Sequence, residues 1–304
     1  MIENTGFFTN TPIWLKKIGL VLLFFIIYLV FVGLISFGGE ILLAKSFGIS
    51  DTVFREQVNL DSTTMLFNYS INFLATVLVI WLFWRFAIKK SFPEIGFKDN
   101  KWLRNLILGM VSGIIAISIG FLISLFFGFV KIQSLAFSPP DFTNYLIIFA
   151  LVAISEELLT RGLMLSTLMD GMNDYIALLI VAVIFGALHL LNDNVTTLSF
   201  INICIAGLFL GISYIHNRSL WFPIGLHFTW NFFQGPVYGY EVSGHKNVSI
   251  IEQTIHGNDT FTGGEFGFEG SIIAIPIMIA AILAIHWYYF KENRVIEQNE
   301  FIEK

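Results

Sequence analysis

A single cysteine, Cys204, is all the chain has, so no intrachain disulfide holds it together. Charge is scarce too: Asp, Glu, Lys and Arg make up 13% of 304 residues, about half the share usual in a soluble domain. The net charge is −5 and no basic patch stands out, which excludes a nucleic-acid partner, since nothing is there to neutralise phosphates. The zinc-protease helix signature HExxH is absent, so any catalytic metal would have to be held differently. No internal repeat is found. The ending "NEFIEK" is no prenylation box, and no myristoylation signal opens the chain. The first hydrophobic run follows Lys16 and Lys17 as a signal peptide's would. It is too long for one and no small-residue cleavage site follows, so it is expected to stay as a span.

What the chain has in abundance is apolar surface, with 56% hydrophobic residues and a mean hydropathy of +0.75. Runs of about twenty apolar residues are the membrane-helix signal. Eight are expected, at 18–37, 69–88, 106–130, 145–165, 175–191, 198–215, 220–237 and 272–290, the fifth to seventh short and containing His or Asn. The predicted fold class is therefore all-α, a polytopic membrane helical bundle of about eight transmembrane helices. Three regions follow: spans one to three with their loops (1–144), a core of spans four to seven (145–237), and a Gly-rich loop, last span and charged tail (238–304). "GMVSG" (109–113) and "GLFLG" (207–211) place small residues four apart, which lets helices approach closely.

Lysine and arginine are unevenly shared between the loops. Twelve fall on one side, including Arg85, Lys89, Lys90, Lys101 and Arg104; four, Lys45, Arg55, Lys131 and Lys246, fall on the other. The richer side is expected to be cytoplasmic, with both termini, in a cell membrane. Trp14, Trp84, Trp102, Trp221 and Trp287 share that face as an interfacial belt would. The opposite side has two long loops: 45–68, with room for a short helix, and 238–271, long enough to suggest a function.

Polar residues inside the spans carry the functional signal. On the translocon scale each charge at a span's centre costs about 2.5–3.5 kcal/mol and each Leu, Ile, Phe or Val returns about 0.3–0.6. Glu156, Glu157 and Arg161 therefore cost roughly 8–10 kcal/mol, against about 3–7 recovered from the apolar residues of 145–165. That segment must turn its charges toward protein or water. Glu157 and Arg161, four apart, share a helix face and can pair; Glu156 points about 100° away. "FGALH" puts Phe185 and His189 on one face, and "HFTWN" does the same for His227 and Asn231. A lone intramembrane histidine is usually a helix–helix hydrogen bond, and a lone buried glutamate can stay protonated. Together, two histidines, an unpaired glutamate and an asparagine supply a base, groups to hold water and donors for an oxyanion. Two His and one Glu with an open position are also a catalytic Zn2+ ligand set, here Glu156, His189 and His227. His216, His245, His256 and His286 lack such companions in the pattern and read as bystanders.

"EELLTR", "FGALH" and "HFTWN" resemble, in order, the EExxxR, FxxxH and HxxxN motifs of the CPBP family, the CAAX proteases and bacteriocin-processing enzymes also called the Abi family. The resemblance covers residues 156–231, and "TGGEFGFEGS" is more loosely similar to a loop of bacterial members. It implies an intramembrane endopeptidase, metallo- or glutamic, with Glu156 and His189 activating water and His227 and Asn231 stabilising the oxyanion. Glu157 and Arg161 then occupy supporting positions. It also implies a peptide or protein substrate, lipid-modified or membrane-embedded. The competing expectations are a non-catalytic immunity or scaffold protein that keeps the motifs, and an ion-coupled transporter, which would explain buried carboxylates but should show inverted repeats.

Overall fold

The computed structural model describes residues 11–58 and 61–302, and helices dominate it. In chain order come α1 (Ile13–Ser46), α2 (Asp51–Val58), α3 (Ser62–Phe83) and α4 (Trp102–Phe126). After β1 (Val130–Leu135), α5 (Pro139–Glu157) runs without a break through a π-helical stretch, Leu158–Leu165, into α6 (Ser166–Met169). Then follow α7 (Asp174–Leu188), α8 (Thr197–Gly211), α9 (Tyr214–Asn217) and α10 (Trp221–Phe232). β2 (Ile251–Ile255), α11 (Asp259–Thr262) and α12 (Ala274–Ile302) complete the chain. The short helix expected in 45–68 is α2. The expected cytoplasmic termini include residues 1–10 and 303–304, which lie outside the described residues.

Six of these helical segments are long and apolar enough to cross a membrane, and the chain is a multi-pass helical membrane protein. α1 shows why its sequence reads so strongly. Its 34 residues reach about 51 Å at about 1.5 Å each, well beyond a hydrocarbon core of about 30 Å. Leu22, Ile26, Leu29 and Leu34 are exposed along it, while Phe24 turns inward against Phe83 of α3, ring centres 4.8 Å apart. Two of the eight expected runs, 145–165 and 220–237, are not among the six. The first carries the charges Glu156, Glu157 and Arg161. The second corresponds to α10 and the π-helical stretch Phe233–Val237 that continues it, with α10 buried at nearly every position, a helix enclosed by protein.

α10 is clamped against α4 by glycine. A Cβ on Gly109 would lie 2.1 Å from the Phe222 carbonyl oxygen, and one on Gly113 2.6 Å from that of Leu226. Thr229 Oγ1 donates to the Met110 carbonyl at 2.9 Å across the same seam. Gly207 plays the same part between α8 and α7, where a Cβ would meet Ala182 Cα at 2.7 Å. Both small-residue pairs seen in the sequence are thus packing seams.

The two ends of the bundle differ. At one, Asp170 gathers Lys17, Lys90 and Arg218 at 3.8, 3.3 and 2.8 Å, and Glu292 binds Lys101 and Arg104 at 2.7 and 2.6 Å. Trp102 and Trp221 lie against each other there, ring centres 5.2 Å apart. At the other end, β1 and β2 pair antiparallel, Val130 opposite Ile255. Much of the Gly-rich segment before α12 is folded there into β2, α11 and two 3₁₀ turns, Gly264–Phe266 and Phe268–Gly270.

Candidate active site

The two adjacent glutamates end α5, and the helix widens immediately after them. Every residue of the π-helical stretch Leu158–Leu165 is buried; such widening is frequent at functional sites. Glu157 and Arg161 are both fully enclosed and form the expected pair, Nη1 to Oε1 at 3.0 Å. Arg161 also donates to Thr160 Oγ1 and to the Gly207 carbonyl, each at 2.8 Å, and its guanidinium sits 4.8 Å from the centre of the Phe185 ring. A buried pair of this kind is sustained only when further hydrogen bonds surround it. The same Glu157 oxygen accepts a second bond, from Nδ1 of His227 at 2.8 Å. That link, between α5 and α10, was not legible in the sequence.

The two histidines are held alike. His189 follows the last residue of α7, in a 3₁₀ turn, and its Nδ1 lies 2.8 Å from the Phe185 carbonyl. A carbonyl only accepts, so Nδ1 carries the proton and Nε2 is left for other chemistry. In His227 the Glu157 carboxylate fixes Nδ1–H in the same way. Phe185 lies between them, its ring centre 4.7 Å from that of His189 and 6.3 Å from that of His227. The aromatic residue of "FGALH" therefore packs against three of the expected site residues: Arg161 and both histidines.

Glu156, His189, His227 and Asn231 all line one cavity of about 290 Å³. Glu156 Oε2 stands 3.8 Å from His227 Nε2 and has no hydrogen-bond partner among the described residues. Tyr28, Met65, Tyr69, Ile148, Phe149 and Val152 form an apolar flank. On another side the wall comes from the segment after α10, through Ser243, His245, Asn247 and Glu269. His245, read from sequence as a bystander, is an exposed residue on that wall. Glu269 is buried, and burial pushes its carboxyl up from the usual carboxylate range against the lowering effect of its hydrogen bond to Ser243. The signal for both was the polar, Gly-rich composition of 238–271, which says that a loop matters without saying which atoms it brings. His216 and His286 bond to each other instead, Nε2 to Nδ1 at 3.0 Å.

As donors, two histidine Nε2 atoms and one carboxylate suit zinc, and a carboxylate behind His227 is the usual companion of a metal-bound imidazole. Among the described residues, however, no three His, Cys, Asp or Glu side chains stand together as a metal-holding group.

Residues 138–233, which contain all three motifs, match the family model described as Rce1-like: type II CAAX prenyl endopeptidase Rce1-like. This segment is similar to the CAAX-type membrane proteases whose motifs it resembles. No curated protein and no solved structure matches the chain.

Proposed function

We propose that the chain is an intramembrane endopeptidase that hydrolyses a peptide bond with water activated by Glu156 and His189. The observation that carries this reading is the meeting of Glu156, His189, His227 and Asn231 in one cavity beside an apolar flank. Glu156 accepts a proton from water, which His189 Nε2 helps to orient. The water oxygen bonds to the scissile carbonyl carbon. Asn231, whose amide makes no hydrogen bond among the described residues, and Nε2 of His227, when it bears a proton, donate to the oxyanion. The C–N bond then breaks and the proton held by Glu156 passes to the leaving amine. Glu157 and Arg161 act at one remove, by holding His227.

The substrate is a membrane-anchored or lipid-modified peptide, whose apolar part lies against Tyr69, Ile148 and Phe149. Both termini are cytoplasmic, and the cavity lies toward the end of the bundle that carries the 238–271 segment. The test is cleavage of membrane-anchored and prenylated peptides by purified protein in water enriched in oxygen-18. One heavy oxygen in each new carboxylate, at a single peptide bond, is expected. No cleavage of any anchored peptide would overturn the reading.

A further inference from the structure

Glu269 is a second carboxylate on the cavity wall beside Glu156, outside the three motifs and 4% exposed. Its Oε1 accepts both donors of Ser243, the backbone N–H at 2.5 Å and the hydroxyl at 2.6 Å. Both of these bonds go to Oε1, no hydrogen bond to Oε2 is found among the described residues, and Glu269 lines the cavity. The backbone around it is locked. Asn202 on α8 donates to the carbonyls of Glu269 and Ser271 at 2.8 and 2.7 Å. Gly263 and Gly267 have φ of +87° and +100°, and a Cβ on either would stand 1.9 Å from a backbone oxygen. Only glycine fits there, so the carboxylate cannot easily swing away from the cavity.

The imidazoles of His189 and His227 act on this carboxylate, but among the described residues it has no lysine or arginine partner. No lysine or arginine among the described residues lines the cavity, and Arg161 is already held by Glu157, Thr160 and Gly207. A buried carboxylate without a counter-charge is costly, and a ligand that supplies the charge relieves that cost. We propose that Glu269 is a specificity-determining residue of this site and that the peptide cleaved there carries a lysine or arginine side chain beside the scissile bond. This rests on the protease reading above. The cationic side chain meets Oε2 while Ser243 keeps Oε1 in place.

The experiment compares anchored peptides in which lysine or the uncharged isostere norleucine is moved through the positions flanking the cleaved bond. At one position lysine is expected to bind at least about tenfold more tightly than norleucine, as desolvated charge pairs do. Binding is measured on Glu156→Gln protein, so it does not depend on turnover. The same ratio should appear in kcat/KM for the wild type, fall toward one in Glu269→Gln, and persist in Glu269→Asp. A purely structural Glu269 would lower both peptides together and leave the ratio intact. Equal binding of the lysine and norleucine peptides at every position overturns the proposal, whichever variants fold. Selective binding without any cleavage would instead count against the protease reading alone.

Discussion

Nδ1 of His227 donates a 2.8 Å hydrogen bond to the Glu157 carboxylate. The oxygen that accepts it also holds Arg161 at 3.0 Å. The second glutamate of the motif therefore joins the ion pair to the residue assigned to the oxyanion, and stability and turnover share one atom.

Glu157→Gln should damage both. Breaking a buried pair by removing one partner costs about 3–5 kcal/mol, so the thermal midpoint should fall sharply. Activity per folded molecule should fall as well, by roughly 10–100-fold, as when a residue loses the carboxylate that orients it. Replacing Glu157 and Arg161 together by neutral residues should recover part of the stability and none of the activity. Thermal shift and turnover on the same samples check this; normal turnover in Glu157→Gln would show that His227 needs no such anchor.

The seam between α4 and α10 gives a test far from the chemistry. Gly113→Val would press into the carbonyl of Leu226 and the hydroxyl of Thr229, 2.6 and 2.3 Å from a Cβ. Overpacking of this kind costs about 1–3 kcal/mol, and here it pushes on the helix that carries His227 and Asn231. A lower thermal midpoint with kcat reduced more than KM is expected. The equivalent change at Gly33, which has open space around it, should do neither.

These two sites also show how far the sequence could be read. The Glu157–Arg161 pair and the Gly109–Gly113 seam were legible because helical spacing of four fixes which side chains meet on one helix. The gathering of Glu156, His189, His227 and Asn231 was expected from cost alone, since none faces lipid cheaply. The bond from Glu157 to His227 was not legible. It joins positions 70 residues apart, and periodicity says nothing about which neighbour a helix face finds. Glu269 was hidden for a related reason: its place depends on left-handed glycines and on Asn202, which no spacing rule connects. For the helix of 220–237 the sequence could not show how fully protein encloses it, because an enclosed helix and a lipid-facing one are equally apolar.

Metal dependence can be checked directly. With no three ligating side chains gathered among the described residues, exhaustive chelation should leave turnover unchanged, and added zinc should not raise it. Loss of activity on chelation, restored by zinc alone, would assign Glu156, His189 and His227 as ligands instead.

For topology, reporter fusions at Lys304 and Lys246 should report opposite sides, Lys304 cytoplasmic and Lys246 external. The basis is the twelve-to-four division of basic residues and their meeting at one end of the bundle around Asp170 and Glu292. A fusion at Lys304 found outside would invert the arrangement and move the cavity to the cytoplasmic half.

The central claim is that Glu156 is the working base while Glu157 is the anchor beside it. Glu156 lies at the cavity with no salt bridge to lysine or arginine among the described residues, its carboxylate facing His227 Nε2 at 3.8 Å. Glu156→Gln keeps its shape and removes the base. The decisive measurement is the turnover of an anchored peptide by Glu156→Gln, with the thermal midpoint taken on the same preparation. Hydrolysis should fall by about 10²–10⁴-fold while the midpoint stays near that of the wild type. A variant that loses as much stability as Glu157→Gln yet turns over normally would make Glu156 structural and leave the proposed protease without its base.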